Sequence, residues 1–346
     1  MVKVVNNTRN TNNKSNTNNI GKTINTRNKS NQIDKNNYSS PIGIFDSGVG
    51  GLTVLKEIEK LLPNENFIYF GDTKRFPFGT KSLDEVKKFA FQITRFLISK
   101  GIKLLVVACN TASAAALKEL QNFFELPIIG VIEPGARKAA SLTLTGKVGV
   151  IATNSTVKSK AYYNALKQIN NNIEVFSSAA SELVEYIERG IFNGEELQLQ
   201  IKKYVTFLLD KEIDVLILGC THFPLIEKEI SIFCNNYIHT EIYNKDISKN
   251  DVSKNDVNEN GIDKNFINKN EGKTSKLCRK IKLVSSALET AREVKNILES
   301  KGLKNVLSNR AEKVFYETGC DSKFLEIGKY FLGYKINEVI KVSLDS

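Results

Sequence analysis

Short, almost wholly apolar runs recur along this chain, each followed by a stretch with helical periodicity, and that alternation restricts the fold more than any other feature. The runs at 42–45, 66–70, 104–108, 128–131, 148–151 and 215–218 lack the in-and-out pattern of a strand with one wet face. A strand apolar on both sides must be covered on both sides, which is the situation of parallel sheets packed between helices. The intervening segments read accordingly. Leu52, Leu55, Ile58 and Leu62 fall at helical spacing behind a glycine-rich turn. Over 82–99, Ser82 and Glu85 make a capping box, Val86, Phe89, Ile93, Phe96 and Leu97 line one face, and Gly101 stops the helix. The predicted class is α/β, with parallel sheets flanked by helices.

The 346 residues suit about two domains. Apolar residues at 41% and charged residues at 25% exclude collagen-like, wholly disordered and disulfide-scaffold chains. Five scattered cysteines, Cys109, Cys220, Cys234, Cys278 and Cys320, make no secreted framework. With neither an apolar leader nor an apolar run near the roughly 18 residues of a membrane span, a cytoplasmic protein with reduced thiols and no membrane partner is expected. The net charge of +11 is unevenly placed: +6 falls in residues 1–40, which hold thirteen Asn, and +1 in 244–277, with its near-repeats ISKND, VSKND and IDKN. Neither segment offers enough apolar surface to offset ordering entropy, so 1–40 is read as a disordered tail and 244–280 as a low-complexity insertion. No nucleic-acid-binding motif accompanies the charge, and no nucleic-acid partner is required.

One pattern occurs twice. Leu104 to Thr111 (LLVVACNT) and Val215 to His222 (VLILGCTH) both run from an apolar strand through a small residue to Cys and then polar side chains. Each cysteine therefore stands just past the carboxyl end of a buried strand, where open α/β sheets place ligands. Two such halves facing each other would put Cys109 and Cys220 in one cleft. A helix start after each cysteine would draw its thiol toward neutrality; the bland reading is a small core hydrophobe. A Cys-x5-Arg loop is absent, Ala115 and Ile226 standing at the arginine positions, and no Cys-x2-Cys pair supports a zinc site. The turn Asp46-Ser47-Gly48-Val49-Gly50-Gly51 could hold a phosphate or a carboxylate on its backbone N–H groups, but it is neither a Walker A loop nor a dinucleotide fingerprint. Asp46 reads as a general base, an ammonium partner or a turn residue.

Four segments in order, Asp46 to Leu55 (DSGVGGLTVL), Gly71 to Gly79 (GDTKRFPFG), Val107 to Ala114 (VACNTASA) and Leu218 to Leu225 (LGCTHFPL), resemble the signatures of bacterial glutamate racemases, within the cofactor-independent aspartate/glutamate racemase family. The likeness covers 41–242 and 281–346. It implies two pseudo-symmetric α/β domains with the active site in the cleft between them, domain A formed by 41–133 plus 281–346 and domain B by 134–243. It implies interconversion of L- and D-glutamate, supplying D-glutamate for peptidoglycan, with no metal and no cofactor. By position, Cys109 and Cys220 would be the acid/base thiols, Asp46 supporting the first and Glu185 and His222 the second. Asp46, Ser47, Phe78, Gly79, Asn110, Thr111, Thr153, Thr221 and His222 would bind substrate. Four departures stand out: Phe78 for a usual Tyr, Lys74 for a usual Ala, 177–181 in place of a Cys-Pro-Leu-Phe-Val-like run, and Ser285 for a common Asp. The rivals are an aspartate racemase and a binding or regulatory protein using the same cleft. A homodimer is an assembly left for experiment.

Overall fold

A computed structural model describes residues 37–250, 280–307, 311–319 and 321–344. The expectations for 1–36 and 251–279, and Cys278 and Cys320, lie outside the described residues. Two all-parallel sheets form the frame. In the first, β1 (Ile42–Asp46) is paired on one side with β2 (Phe67–Gly71) and on the other with β3 (Leu104–Val107), beyond which lies β4 (Ile128–Gly130). In the second, β5 (Lys147–Ala152) lies between β6 (Glu174–Ala179) and β7 (Val215–Gly219), and β8 (Lys282–Ser285) pairs with β7. Within each sheet the order is second, first, third, fourth, so the halves repeat one topology. The first sheet alone is extended past β2 by β9 (Lys313–Glu317) and β10 (Ile340–Lys341).

The helices follow from the pattern between strands. In chain order, α1 (Leu52–Leu61), α2 (Leu83–Ser99), α3 (Asn110–Phe123) and α4 (Ile132–Leu142) belong to the first half of the chain. After them come α5 (Asn154–Lys158), α6 (Ala161–Ile169), α7 (Ser181–Glu188), α8 (Glu195–Asp210), α9 (Glu227–Asn250), α10 (Ser286–Ser300) and α11 (Asp321–Leu332). The capping box at the start of α2 is formed: the Glu85 N–H donates to Ser82 Oγ and the Ser82 N–H to Glu85 Oε2. Alternation along single strands shows that both faces are covered. Leu104 and Val106 of β3 join a core that continues through Ile151 and Leu218 of the second sheet, while Leu105 and Val107 face Val86, Ile93 and Leu97 of α2. Val148, Val150, Val215 and Ile217 pack under α4 and α6. Helix α10 lies against both α1 and α4, joining the two halves. Among the described residues no helix is long and apolar enough to cross a membrane.

Two expectations change here. Residues 282–285, grouped by sequence with the first half, are hydrogen-bonded into the second sheet, because the open edge of β7 is where a fourth parallel strand fits. Helix α9 continues through Asn250, so residues 244–250 are helical and not part of a loop.

Below the sheets, at the amino-terminal ends of β2 and β3, sits a buried ion pair. Lys103 Nζ donates to Glu65 Oε2 and to the Tyr38 carbonyl, and the second Glu65 oxygen accepts the Asn305 N–H at 2.7 Å. Both charged side chains are essentially unexposed. Burial pushes the Lys103 ammonium below its ordinary pKa, and Glu65 opposes that shift. Removing one partner strands the other charge, so Glu65→Ala is expected to cost about 3–5 kcal/mol in urea unfolding, and Glu65→Leu with Lys103→Met less than Glu65→Ala alone.

Candidate active site

The carboxyl ends of β1 and β3 face those of β5 and β7 across a cavity. Its wall includes Ser47, Phe78, Gly79, Cys109, Asn110, Thr111, Thr153, Glu185, Cys220, Thr221 and His222. Every site residue expected from sequence therefore converges there except Asp46, which is fully buried just behind the wall. Cys109 and Cys220 are 6% and 7% exposed, so both thiols are largely withdrawn from water.

The two thiols have different neighbours. Cys109 is the residue from which α3 springs, and its carbonyl accepts the Ser113 N–H at 2.8 Å. Its Sγ donates to Ser47 Oγ at 3.8 Å. Burial and then the Asp46 carboxylate push the Cys109 thiol well above its ordinary pKa, outweighing the Ala112 N–H at the helix start. The expected drift toward neutrality is therefore reversed for Cys109, because desolvation in this cavity exceeds the helix-terminus effect. Cys220 is not at a helix start: a 3-10 turn, Phe223–Ile226 with Pro224, separates it from α9. Its nearest polar partner is His222, whose Nδ1 lies 3.7 Å from Sγ.

His222 is the hinge of this half of the site. Its Nε2 meets Glu188 Oε1 at 2.8 Å, and its ring packs edge-on against Phe331 at 5.3 Å. Burial alone would lower the imidazole pKa, but the contacts with Cys220 and the Glu188 carboxylate prevail and raise it to about 10. His222 is thus an imidazolium at neutral pH. The carboxylate that meets the His222 ring is Glu188, a residue not named from sequence, whereas Glu185 was expected to support Cys220. Glu185 lies one helical turn earlier on α7, exposed at the cavity rim, while Glu188 is only 10% exposed. Phe76 was also missed; its ring centroid is 6.0 Å from that of His222, and it forms part of the wall.

Asp46 is held in place rather than open to a ligand. One carboxylate oxygen accepts the Gly48 N–H at 2.9 Å and the other accepts Thr221 Oγ1 at 3.4 Å. Burial raises its pKa, opposed by His222 and by the Gly48 N–H. The glycine turn that follows is shaped by contact between the halves: a Cβ on Gly50 would lie 2.4 Å from the His222 ring. Thr53 of α1 donates from Oγ1 to the Thr221 carbonyl at 3.0 Å. On the other side, Ser155 donates to the Gly79 carbonyl at 2.8 Å, and Thr111, Thr153 and Thr156 form a triangle of hydroxyls 2.9–3.1 Å apart. Phe78 is fully buried against Phe89, and the neighbouring Gly79 can have no side chain because Thr153 fills that space.

The His222–Glu188 pair makes a pH prediction. A folded pKa raised above the ordinary 6.5 gives stability that is fully present below about pH 6.5 and is lost as pH rises through about 10. Glu188→Gln is expected to lower the His222 midpoint, measured by proton NMR, where only His239 shares the histidine region. Its loss of unfolding free energy relative to the parent should be larger at pH 6 than at pH 10.5. Glu185→Gln should leave the midpoint unchanged.

Residues 42–235 match the Asp/Glu/hydantoin racemase family. The glutamate racemase of Geobacter metallireducens is 41% identical over 305 residues, covering 88% of this chain and 97% of that protein. Among solved structures, glutamate racemase from Francisella tularensis in complex with D-glutamate superposes with a TM-score of 0.73 at 34% identity, over 89% of this chain and 99% of that one. A glutamate racemase isoform from Bacillus anthracis gives 0.71 at 37% identity, over 88% and 98%. With two thiols in one cavity, on the repeated topology, and likeness across nearly the whole of these proteins, the chain belongs to the Asp/Glu/hydantoin racemase family.

Proposed function

We propose that this protein is a glutamate racemase, interconverting L- and D-glutamate by proton transfer between two thiols and supplying D-glutamate for peptidoglycan in the cytoplasm. The observation that carries the reading is that Cys109 and Cys220, from equivalent positions in the two halves, are both buried in the wall of one cavity. Racemisation without an electron-withdrawing cofactor needs a base on one face of the α-carbon and an acid on the other, and two opposed cysteines can alternate in those roles.

The asymmetry of the pair suits the conversion that starts from L-glutamate. Cys109, held as a thiol by burial, is the donor when L-glutamate is bound. Cys220, beside the His222 imidazolium, takes the α-proton from L-glutamate as thiolate, and Cys109 returns a proton to the opposite face, leaving D-glutamate, a Cys220 thiol and a Cys109 thiolate. The reverse reaction runs the same transfers backwards. Asn110, Thr111, Thr153, Thr221 and the backbone at Ser47 and Gly79 surround the bound molecule, and their N–H and O–H groups hold its carboxylates and the charge that develops at the α-carbon. Asp46 acts from behind the wall, through Gly48 and Thr221, rather than as a direct ligand. The Glu188–His222 pair fixes the imidazolium beside Cys220.

Purified protein should racemise L-glutamate, and L-aspartate far more slowly, with no added cofactor. Cys109→Ala and Cys220→Ala should each lose racemisation by about a thousandfold or more, within the range set by removing a proton-transfer group. In deuterated water, Cys109→Ser should impair α-proton abstraction from D-glutamate more, and Cys220→Ser that from L-glutamate. Equal, modest losses with both enantiomers in both variants would overturn the assignment.

A further inference from the structure

Asn110 opens α3 on the first half of the chain, yet its side chain is anchored by the second. Tyr162 of α6 donates from its hydroxyl to Asn110 Oδ1 at 2.7 Å, and the same hydroxyl lies 2.8 Å from Oγ of Ser286, the first residue of α10. All three side chains are buried, Tyr162 at 3% exposure and the other two at 4%. A phenol has one hydrogen to give. Since Tyr162 gives it to Asn110, Ser286 is the donor in the second contact. The chain of donation runs from Ser286 through Tyr162 to Asn110. With the amide oxygen held on that side, the N–H of Nδ2 that lies anti to it points the opposite way, and Asn110 is part of the cavity wall. Burial raises the Tyr162 pKa, so the phenol keeps its proton.

We propose that Tyr162, backed by Ser286, is a positioning residue that turns the Asn110 amide so that an N–H, and not its oxygen, faces a carboxylate of the substrate. The inference rests on the glutamate racemase reading for the identity of that carboxylate, but not for the geometry. An asparagine free to turn would have to be oriented by the anion on binding, at a cost in affinity that anchoring removes. The constraint is made between the halves, so the donor is set in place when α6 and α10 meet α3. Recognition of the carboxylate is thereby tied to the closed arrangement of the cavity.

The test is Tyr162→Phe, which removes one oxygen and keeps the ring in its core. KM for both L- and D-glutamate is expected to rise by about 10- to 100-fold, the range for one hydrogen bond to a charged group, with kcat changed by less than about threefold. In an Asn110→Ala background the same substitution should add no further rise in KM, an outcome that mere loosening of the fold would not produce. Should Tyr162→Phe prove unfolded, Ser286→Ala carries the test, with a smaller rise expected because the phenol is then free to turn. A second readout does not depend on activity. The Asn110 side-chain amide pair in the 15N–1H spectrum of the free protein, identified by its loss in Asn110→Ala, should shift or broaden in Tyr162→Phe. An unchanged KM with an unchanged amide pair, or a KM effect that persists undiminished in Asn110→Ala, would overturn the proposal. If the parent protein fails to turn over glutamate, the functional reading falls, and the amide signal alone decides the role of Tyr162.

Discussion

The contact on which the site depends is between a backbone and a ring. Gly50, in the turn after β1, lies so near His222 that any side chain there would overlap the imidazole. That closeness lets the turn from one half and the Cys220–His222 loop from the other share a wall, with Thr53 and Thr221 hydrogen-bonded across the join. A methyl group at Gly50 would force His222 off Glu188 or push the two sheets apart. Either movement would alter the surroundings of Cys220 before touching any residue that meets a substrate.

Desolvation does much of the remaining tuning. The cavity is lined largely by apolar surface, so burial is the first influence on the ionisation of Cys109, Asp46 and His222, and their neighbours come second. For Cys109 and Asp46 burial prevails, whereas for His222 the contacts with Cys220 and Glu188 overcome it. The topology is shared between the halves and the electrostatics are not. A repeated fold places two thiols in similar positions, and their neighbours differ: Ser47 beside Cys109 and His222 beside Cys220.

How much of this was legible in the sequence depended on how local the signal was. The strands that carry Cys109 and Cys220 are unbroken apolar runs, and the glycine turn and capping box are contiguous, so all could be read directly. Strands β6, β8 and β9 are partly exposed and lack such runs, and were not anticipated. Glu185 was named across a stretch, 177–181, that departs from the resembled pattern and leaves the register of α7 unanchored, and Glu188 was not named. Both glutamates fall on the same side of one helix, a turn apart, and only the position of the His222 ring decides between them. Tyr162 could not be found at all, since its partner is 52 residues away and the pairing exists only when two sheets are brought together.

The path of the chain carries a mechanical consequence. It leaves the first sheet once, between β4 and α4, and returns once, through α10 to β9, so the second sheet is tethered at two points rather than one. A body held by a single strand can swivel in any direction; one held by two parallel tethers is left mainly with rotation about the line joining them. Whatever parting of the halves admits a substrate is thereby confined to something like the swing of a door.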